Sequence, residues 1–189
     1  MRVIAGKYKR RLLSTLPGQD ITRPTSDRVK ESLFNIINEK IENAVVLDLF
    51  AGSGALGIEA LSRGAHKAVF IEKNPKAYQI IKSNLNNLQI PTEKYTVIKN
   101  EASAYLKQQK SDTKFDIIFI DPPYLSEWYE NALQEISEAN ICNPFCTVIF
   151  EMPIQLKFQL QSKSQEWLKL DERIYGKTKI EIWQKGNPA

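Results

Sequence analysis

The chain has 189 residues, 42% of them apolar and 25% charged, with a formal net charge of +4. That length and mixture give one globular domain with a real core, and they exclude a disordered or collagen-like chain. The charge is uneven: residues 1–30 hold eight basic side chains against two acids, a net of +6, while the remainder holds 18 against 20, a net of −2.

The first residues, MRVIAGKYKRR, lack the apolar stretch of a secretory signal. No run approaches the roughly 20 apolar residues of a membrane span, so a cytoplasmic protein without a membrane partner is expected. Lys7-Tyr8-Lys9-Arg10-Arg11 interleaves one aromatic ring with four cations, a pattern suited to phosphates and one stacked base. Residues 1–24 are therefore expected to form a basic extension that contacts RNA, ahead of a domain over 25–189. After Pro24, Val29, Leu33, Ile36, Ile37 and Ile41 fall on one helical stripe, with Thr25 or Ser26 placed as the cap. Arg23 and Arg28 flank Pro24, where positive charge opposes the helix macrodipole unless an anion is bound. Both are expected to clamp phosphates beside a flipped base. Lys30, Lys67 and Lys73 read as plain surface cations.

Short apolar runs then alternate with helical stretches. Val45–Phe50, Ala68–Glu72, Tyr95–Lys99, Asp116–Ile120 and Thr147–Glu151 are predicted strands; Ala55–Arg63, Pro75–Asn87, Ala102–Lys110 and Ser126–Ala139 are predicted helices. Runs such as VVLDLF and DIIFI lack strict alternation, as in strands buried on both faces of a parallel sheet. Leu168–Tyr175 and Lys177–Gln184 flank Gly176 with no helix between them, which predicts an antiparallel hairpin at the sheet edge. The expected architecture is α/β, with a mostly parallel seven-stranded sheet ending in that hairpin. His66, after Gly64, reads as a helix C-terminal cap. Cys142 and Cys146 read as buried, reduced thiols; with one His and no third Cys, four metal ligands cannot be assembled from them.

Chemistry concentrates in two loops. Asp48-Leu-Phe-Ala-Gly52-Ser-Gly54-Ala-Leu-Gly57 carries G-x-G-x-x-G, and Glu72 follows Gly52 by 20 residues. Glycines there allow a tight turn and close approach of a ligand to the next helix N-terminus, and an acid at the second strand's end can accept from ribose hydroxyls. This loop indicates an adenosine-bearing cofactor, either a dinucleotide or S-adenosylmethionine. The choice falls to Asp121-Pro122-Pro123-Tyr124 after the fourth strand. An exocyclic amine on a base is a poor nucleophile because its lone pair is delocalised into the ring. The Asp121 carboxylate and the Pro122 carbonyl offer two acceptors for its N–H bonds in a frame stiffened by proline, and Tyr124 offers a stacking face. Methyl transfer from S-adenosyl-L-methionine is the reaction this pattern suits, with Asp121, Pro122 and Tyr124 as the catalytic group.

Together with Arg2-Val-Ile-Ala-Gly-Lys7, Arg23-Pro-Thr-Ser-Asp-Arg28-Val-Lys-Glu-Ser-Leu-Phe34, Glu59-Ala-Leu-Ser-Arg-Gly64 and Tyr175-Gly-Lys-Thr178, these elements resemble the bacterial 16S rRNA guanine-N2 methyltransferases of the RsmD family nearly end to end. The resemblance implies a class I, Rossmann-like S-adenosylmethionine-dependent methyltransferase that modifies the 2-amino group of one guanine in 16S rRNA, within a small-subunit ribonucleoprotein particle and as a monomer. By motif, Asp48, Phe50, Gly52 and Gly54 form the cofactor floor and Glu72 holds the ribose, with Lys73 beside it counted in the same set. Asp121 borders the cofactor as well. Glu101-Ala102 stands where the family usually has Asp or Asn before Ala against the adenine; the longer Glu101 shifts that contact toward Asn100 or backbone. Arg2, Lys7, Arg10, Arg11, Arg23 and Arg28 make up the RNA-binding set. Two other readings remain: an adenine-N6 DNA methyltransferase, which usually needs an added target-recognition region, and a non-catalytic module that binds nucleotide and RNA.

Overall fold

The computed structural model describes residues 1–16, 27–108, 113–122, 128–156 and 166–186. Helices α1 (Asp27–Ile36) and α2 (Asn38–Ile41) precede strand β1 (Val45–Asp48), helix α3 (Ala55–Ser62), strand β2 (Lys67–Ile71) and helix α4 (Pro75–Asn87). Then follow β3 (Tyr95–Ile98), α5 (Ala102–Gln108), β4 (Phe115–Ile120), α6 (Trp128–Glu138), β5 (Cys142–Pro153), β6 (Trp167–Tyr175) and β7 (Thr178–Lys185). The strands form one sheet in the order β3-β2-β1-β4-β5-β7-β6. The first five pair in parallel, whereas β7 is antiparallel to both β5 and β6. This is the seven-stranded α/β architecture expected from the sequence, hairpin included.

The central strands are buried on both faces because each face carries helices. Val46, Phe70, Ile117 and Phe119 pack toward α1, α3 and α4, while Leu47, Val69, Ile118 and Ile120 pack toward α5 and α6. Helix α4 starts where the sequence places it. Asn74 Oδ1 accepts from the Lys76 and Ala77 amides at 2.9 and 3.3 Å, and Pro75 follows as the first helical residue. Among the described residues, no helix is long and apolar enough to cross a membrane.

Several local expectations need correction. On the first stripe Val29, Leu33, Ile37 and Ile41 are buried, but Ile36 is 39% exposed and Phe34 is fully buried instead. The helix breaks after Ile36 and restarts as α2, so two helix axes rather than one set which residues face inward. Lys30, read as a surface cation, is fully buried against Glu59. His66 does not cap α3. Gly64 takes φ +106° and its N–H donates to the Leu61 carbonyl, while Ala65 N–H reaches the Ala60 carbonyl. That is a Schellman closure, and the exposed His66 gives its own N–H to Ala44. Strand β5 extends back to Cys142, because Phe115 pairs with Cys142 before the ladder resumes at Ile117 and Thr147. The intervening segment bulges outward, held by Asn143 Nδ2 donating to Asp116 Oδ1 at 2.7 Å. Cys142 and Cys146 are free and buried, as expected.

The basic leader is a hairpin docked on α3. Val3 N–H donates to the Arg11 carbonyl and Arg10 N–H to the Val3 carbonyl, and Arg2 bridges Leu12. Val3 and Leu13 are buried in the same core as α1 and α3. Gly6, at φ +79°, lies so close that a Cβ there would stand 1.8 Å from the Ser62 carbonyl oxygen.

Candidate active site

Strand order reverses between β1 and β4, the neighbours at the centre of the sheet. Ligands of open α/β sheets bind beyond the carboxyl ends of the strands at such a switch point. Asp48 pairs with Phe119, so the glycine loop after β1 and the loop after β4 emerge side by side. Asp121 is half-buried directly beyond Ile120, and Pro122 is buried. Tyr124 lies outside the described residues.

The glycine loop is fixed from behind. Gly52 and Gly54 take φ +54° and +80°, conformations that favour glycine. Gly57 serves packing: a Cβ there would stand 2.3 Å from the Phe70 ring. In front of Gly52 a Cβ would meet nothing nearer than the Phe50 carbonyl oxygen at 4.0 Å, which leaves an open cradle. Glu72, just past β2, accepts from Gly52 N–H at 2.8 Å and from Asn74 N–H at 2.7 Å. The carboxylate is thereby tied to the loop it is expected to serve. The exposed Lys73 follows it. An open backbone cradle with a fixed carboxylate beside it fits the carboxylate-and-ribose chemistry of an adenosyl cofactor.

Asp48 lies beneath this floor, 4% exposed, its Oδ2 accepting from Gly57 N–H at 3.0 Å. Burial raises its pKa to about 7; the Gly57 hydrogen bond opposes that shift and the nearby Glu72 charge adds to it. A folded-state pKa above the unfolded value means the folded protein holds a proton the unfolded chain has lost. This contribution is fully present below about pH 4 and is lost as pH rises through about 7. In the cofactor-free protein, Asp48→Asn is expected to flatten that component of a stability-against-pH curve measured by urea denaturation. An unchanged slope between pH 4 and 7 would remove Asp48 as its source.

At the third strand, Glu101 is exposed and Ala102 is buried at the start of α5. Asn100 Oδ1 accepts from the Glu101 amide at 2.9 Å, and its Nδ2 donates to Gln108 at 3.4 Å. Phe50, half-buried in the glycine loop, meets Trp128 edge-on with ring centroids 4.9 Å apart. Trp128 Nε1 in turn donates to Ser103 Oγ at 2.7 Å. The sequence reading missed Trp128 and Ser103. Their only sequence signal is a Trp four residues after the D-P-P-Y segment.

Of the expected RNA-binding cations, Arg2, Lys7, Arg10 and Arg11 are exposed on the leader hairpin and Arg28 on the first turn of α1. Arg23 lies outside the described residues. Arg2 Nε pairs with Asp27 Oδ2 at 2.7 Å in an exposed bridge, which contributes little to stability. Lys7 Nζ sits over the Tyr8 ring at 5.4 Å from its centroid. The hairpin turns at Arg10, whose φ is +69°.

Known proteins match the whole of this frame. The family described as "Conserved hypothetical protein 95" matches residues 1–184. A Bacillus subtilis protein named "Putative rRNA methyltransferase YlbH" is 38% identical over 186 residues, covering 98% of this chain and 99% of its own. "Ribosomal RNA small subunit methyltransferase D" of Haemophilus influenzae is 35% identical over 184 residues, covering 97% and 93%. Among solved structures, "Putative methyltransferase yhhF" from Escherichia coli superposes with a TM-score of 0.87 at 31% identity, covering 100% of this chain and 99% of the other.

Proposed function

This chain belongs to the conserved hypothetical protein 95 family, which includes ribosomal RNA small subunit methyltransferase D, and from that membership we propose that it methylates the N2 amine of one guanine in 16S rRNA. The observation that carries the reaction type is the placement of Asp121 at the carboxyl end of β4, beside a glycine loop tied to Glu72. Bound S-adenosyl-L-methionine supplies an electrophilic methyl group on a sulfonium sulfur. Glu72 is assigned the ribose hydroxyls, Gly52 and Gly54 the close backbone approach, and Phe50 the apolar wall that Trp128 supports. Asp48, ionised as pH rises through about 7, then places negative charge below the floor, which favours a cationic cofactor.

Asp121 and the Pro122 carbonyl accept the two N–H bonds of the guanine amine. This turns its lone pair out of conjugation and into line with the methyl carbon, and the Asp121 carboxylate would take the proton the amine sheds as the methyl passes to nitrogen, the S–C bond breaks and the neutral thioether S-adenosylhomocysteine leaves. The work is positioning and electrostatics, with no covalent enzyme intermediate. Tyr124 is given the stacking role on its sequence position alone. The exposed cations of the leader and Arg28 hold the phosphates on either side, within a small-subunit ribonucleoprotein particle. Phosphate contacts of this kind read local RNA shape rather than base sequence, which favours rRNA over a sequence-read DNA site.

Mass mapping of rRNA from cells lacking this protein tests the reading. The expected result is the loss of one methyl group from a single guanine of 16S rRNA, restored by the purified protein with S-adenosylmethionine. Unchanged rRNA together with loss of an adenine methyl from DNA would replace the proposal with the DNA reading.

A further inference from the structure

Helix α4 carries one buried amide that touches both halves of the site. Asn84 is 2% exposed. Its Oδ1 accepts from Ser14 N–H at 2.8 Å, and its Nδ2 donates to the Ser14 carbonyl at 3.0 Å and to the Ser53 carbonyl at 2.9 Å. One acceptor and two donors are used, so the side chain is fixed in a single orientation. Ser14 lies in the basic leader just past the hairpin, and Ser53 lies between Gly52 and Gly54 in the cofactor loop.

The contact at Ser53 falls on a peptide unit that matters. The Ser53–Gly54 peptide is held at both ends, with Gly54 N–H donating to the Ala51 carbonyl at 2.6 Å and the Ser53 carbonyl accepting from Asn84. The same stretch of α4 backs the loop, since a Cβ at Gly54 would stand 3.3 Å from Ile81 Cγ2. A rotation of this peptide therefore cannot occur without moving the Asn84 amide. The amide cannot move without changing both of its bonds to Ser14. Buried polar groups left without partners are costly, so the two segments keep or lose their order together.

We propose that Asn84 is a positioning residue that couples the cofactor loop to the basic leader, so that cofactor binding orders the leader for RNA and RNA binding tightens the cofactor loop. The coupling rests on the functional reading above only for the identity of the leader's ligand. Its reciprocity is required by linkage: whatever factor the cofactor lends to RNA binding, RNA lends to cofactor binding.

The test is amide hydrogen exchange of residues 1–16 with and without S-adenosylhomocysteine, paired with anisotropy titrations of a 16S rRNA hairpin. In the natural protein, S-adenosylhomocysteine is expected to slow exchange at Leu13 and Ser14 and to tighten RNA binding, each by about 5-fold or more. In Asn84→Ala both effects are expected to fall below about 2-fold, although each ligand still binds alone. Ser14→Pro removes the N–H that donates to Asn84 Oδ1, from the exposed leader side and without altering α4, and it is expected to weaken the same coupling. That second variant decides the matter if Asn84→Ala does not fold. Protection of the leader that is absent in the natural protein, or equal in both variants, overturns the coupling and leaves the functional reading standing. Failure of any RNA to bind, with leader protection intact, overturns the functional reading and leaves the coupling standing.

Discussion

Asp121→Ala is expected to lower single-turnover methyl transfer to 16S rRNA by about 10³-fold, with cofactor affinity changed less than about 10-fold and the thermal midpoint nearly unchanged. Removing one preorganised electrostatic group from a site of this kind typically costs about 10²–10³ in rate, and Asp121 holds the amine in line as well as accepting its proton. The side chain is half-buried just beyond the last residue of β4, so truncation removes no apolar core contact from the sheet. Asp121→Asn keeps an acceptor oxygen at the same reach but gives up the charge, and a smaller loss, about 10-fold to 100-fold, is expected. Radiolabelled methyl transfer under single-turnover conditions gives the rate, and calorimetry with S-adenosylhomocysteine gives the affinity. Undiminished transfer by the Ala variant would remove the two-acceptor mechanism. A loss matched by an equal loss of cofactor affinity would make Asp121 a cofactor ligand alone.

The fold was legible because its strands are short, apolar and separated by clear glycine and proline signals. Pro75 after Asn74 places the start of α4, and Gly176 places the turn of the hairpin, each from local chemistry that tertiary contacts do not override. The cofactor loop was legible for a similar reason. Glycine spacing and an acid 20 residues later are both local in sequence, although the 2.8 Å bond from Gly52 to Glu72 joins two strands. What the sequence hid were pairings between distant segments. Lys30 looks like any surface lysine until Glu59 is brought beside it from 29 residues away. Asn84 has no motif around it, and its importance comes from Ser14 and Ser53, which lie 70 and 31 residues away along the chain. Cys142 falls outside the predicted strand Thr147–Glu151, and it joins the sheet only through a bulge that Asn143 fixes to Asp116, 27 residues away. The leader showed its charge, its one aromatic ring and its family motif, but not its docking. Its backbone is clamped to α3 by Ser62, whose Oγ accepts from Tyr8 N–H at 3.0 Å and whose carbonyl accepts from Lys7 N–H at 2.8 Å, and by the buried glutamate Glu59.

That glutamate gives the largest expected effect on stability. Glu59 is fully buried on α3. Its Oε2 accepts from Ile4 N–H at 2.8 Å, its Oε1 accepts from Ala5 N–H at 3.0 Å and from Arg63 Nε at 2.9 Å, and Lys30 Nζ stands 3.4 Å away. Lys30 also donates to the Arg2 carbonyl at 2.6 Å, so the pair grips the leader at three backbone groups. Burial lowers the Lys30 pKa and the Glu59 charge opposes that shift, which shows how far the ammonium depends on its partner. Glu59→Ala leaves Lys30 buried without its counter-ion and orphans two amides. Breaking a buried pair from one side costs about 3–5 kcal/mol, which for a domain of this size lowers the thermal midpoint by roughly 10 °C. Pairing the change with Lys30→Met removes the fully buried one of the two cations it strands, the other being Arg63, so the double variant is expected to be more stable than Glu59→Ala alone, a coupling that a double-mutant cycle reads directly. The leader should not recover with stability. Its amides at Ile4 and Ala5 still lack their acceptor, so exchange there is expected to stay fast in the double variant and RNA binding to stay weak. If the double variant restored both stability and RNA binding, Glu59 would be a core ion-pair partner and not the anchor of the leader.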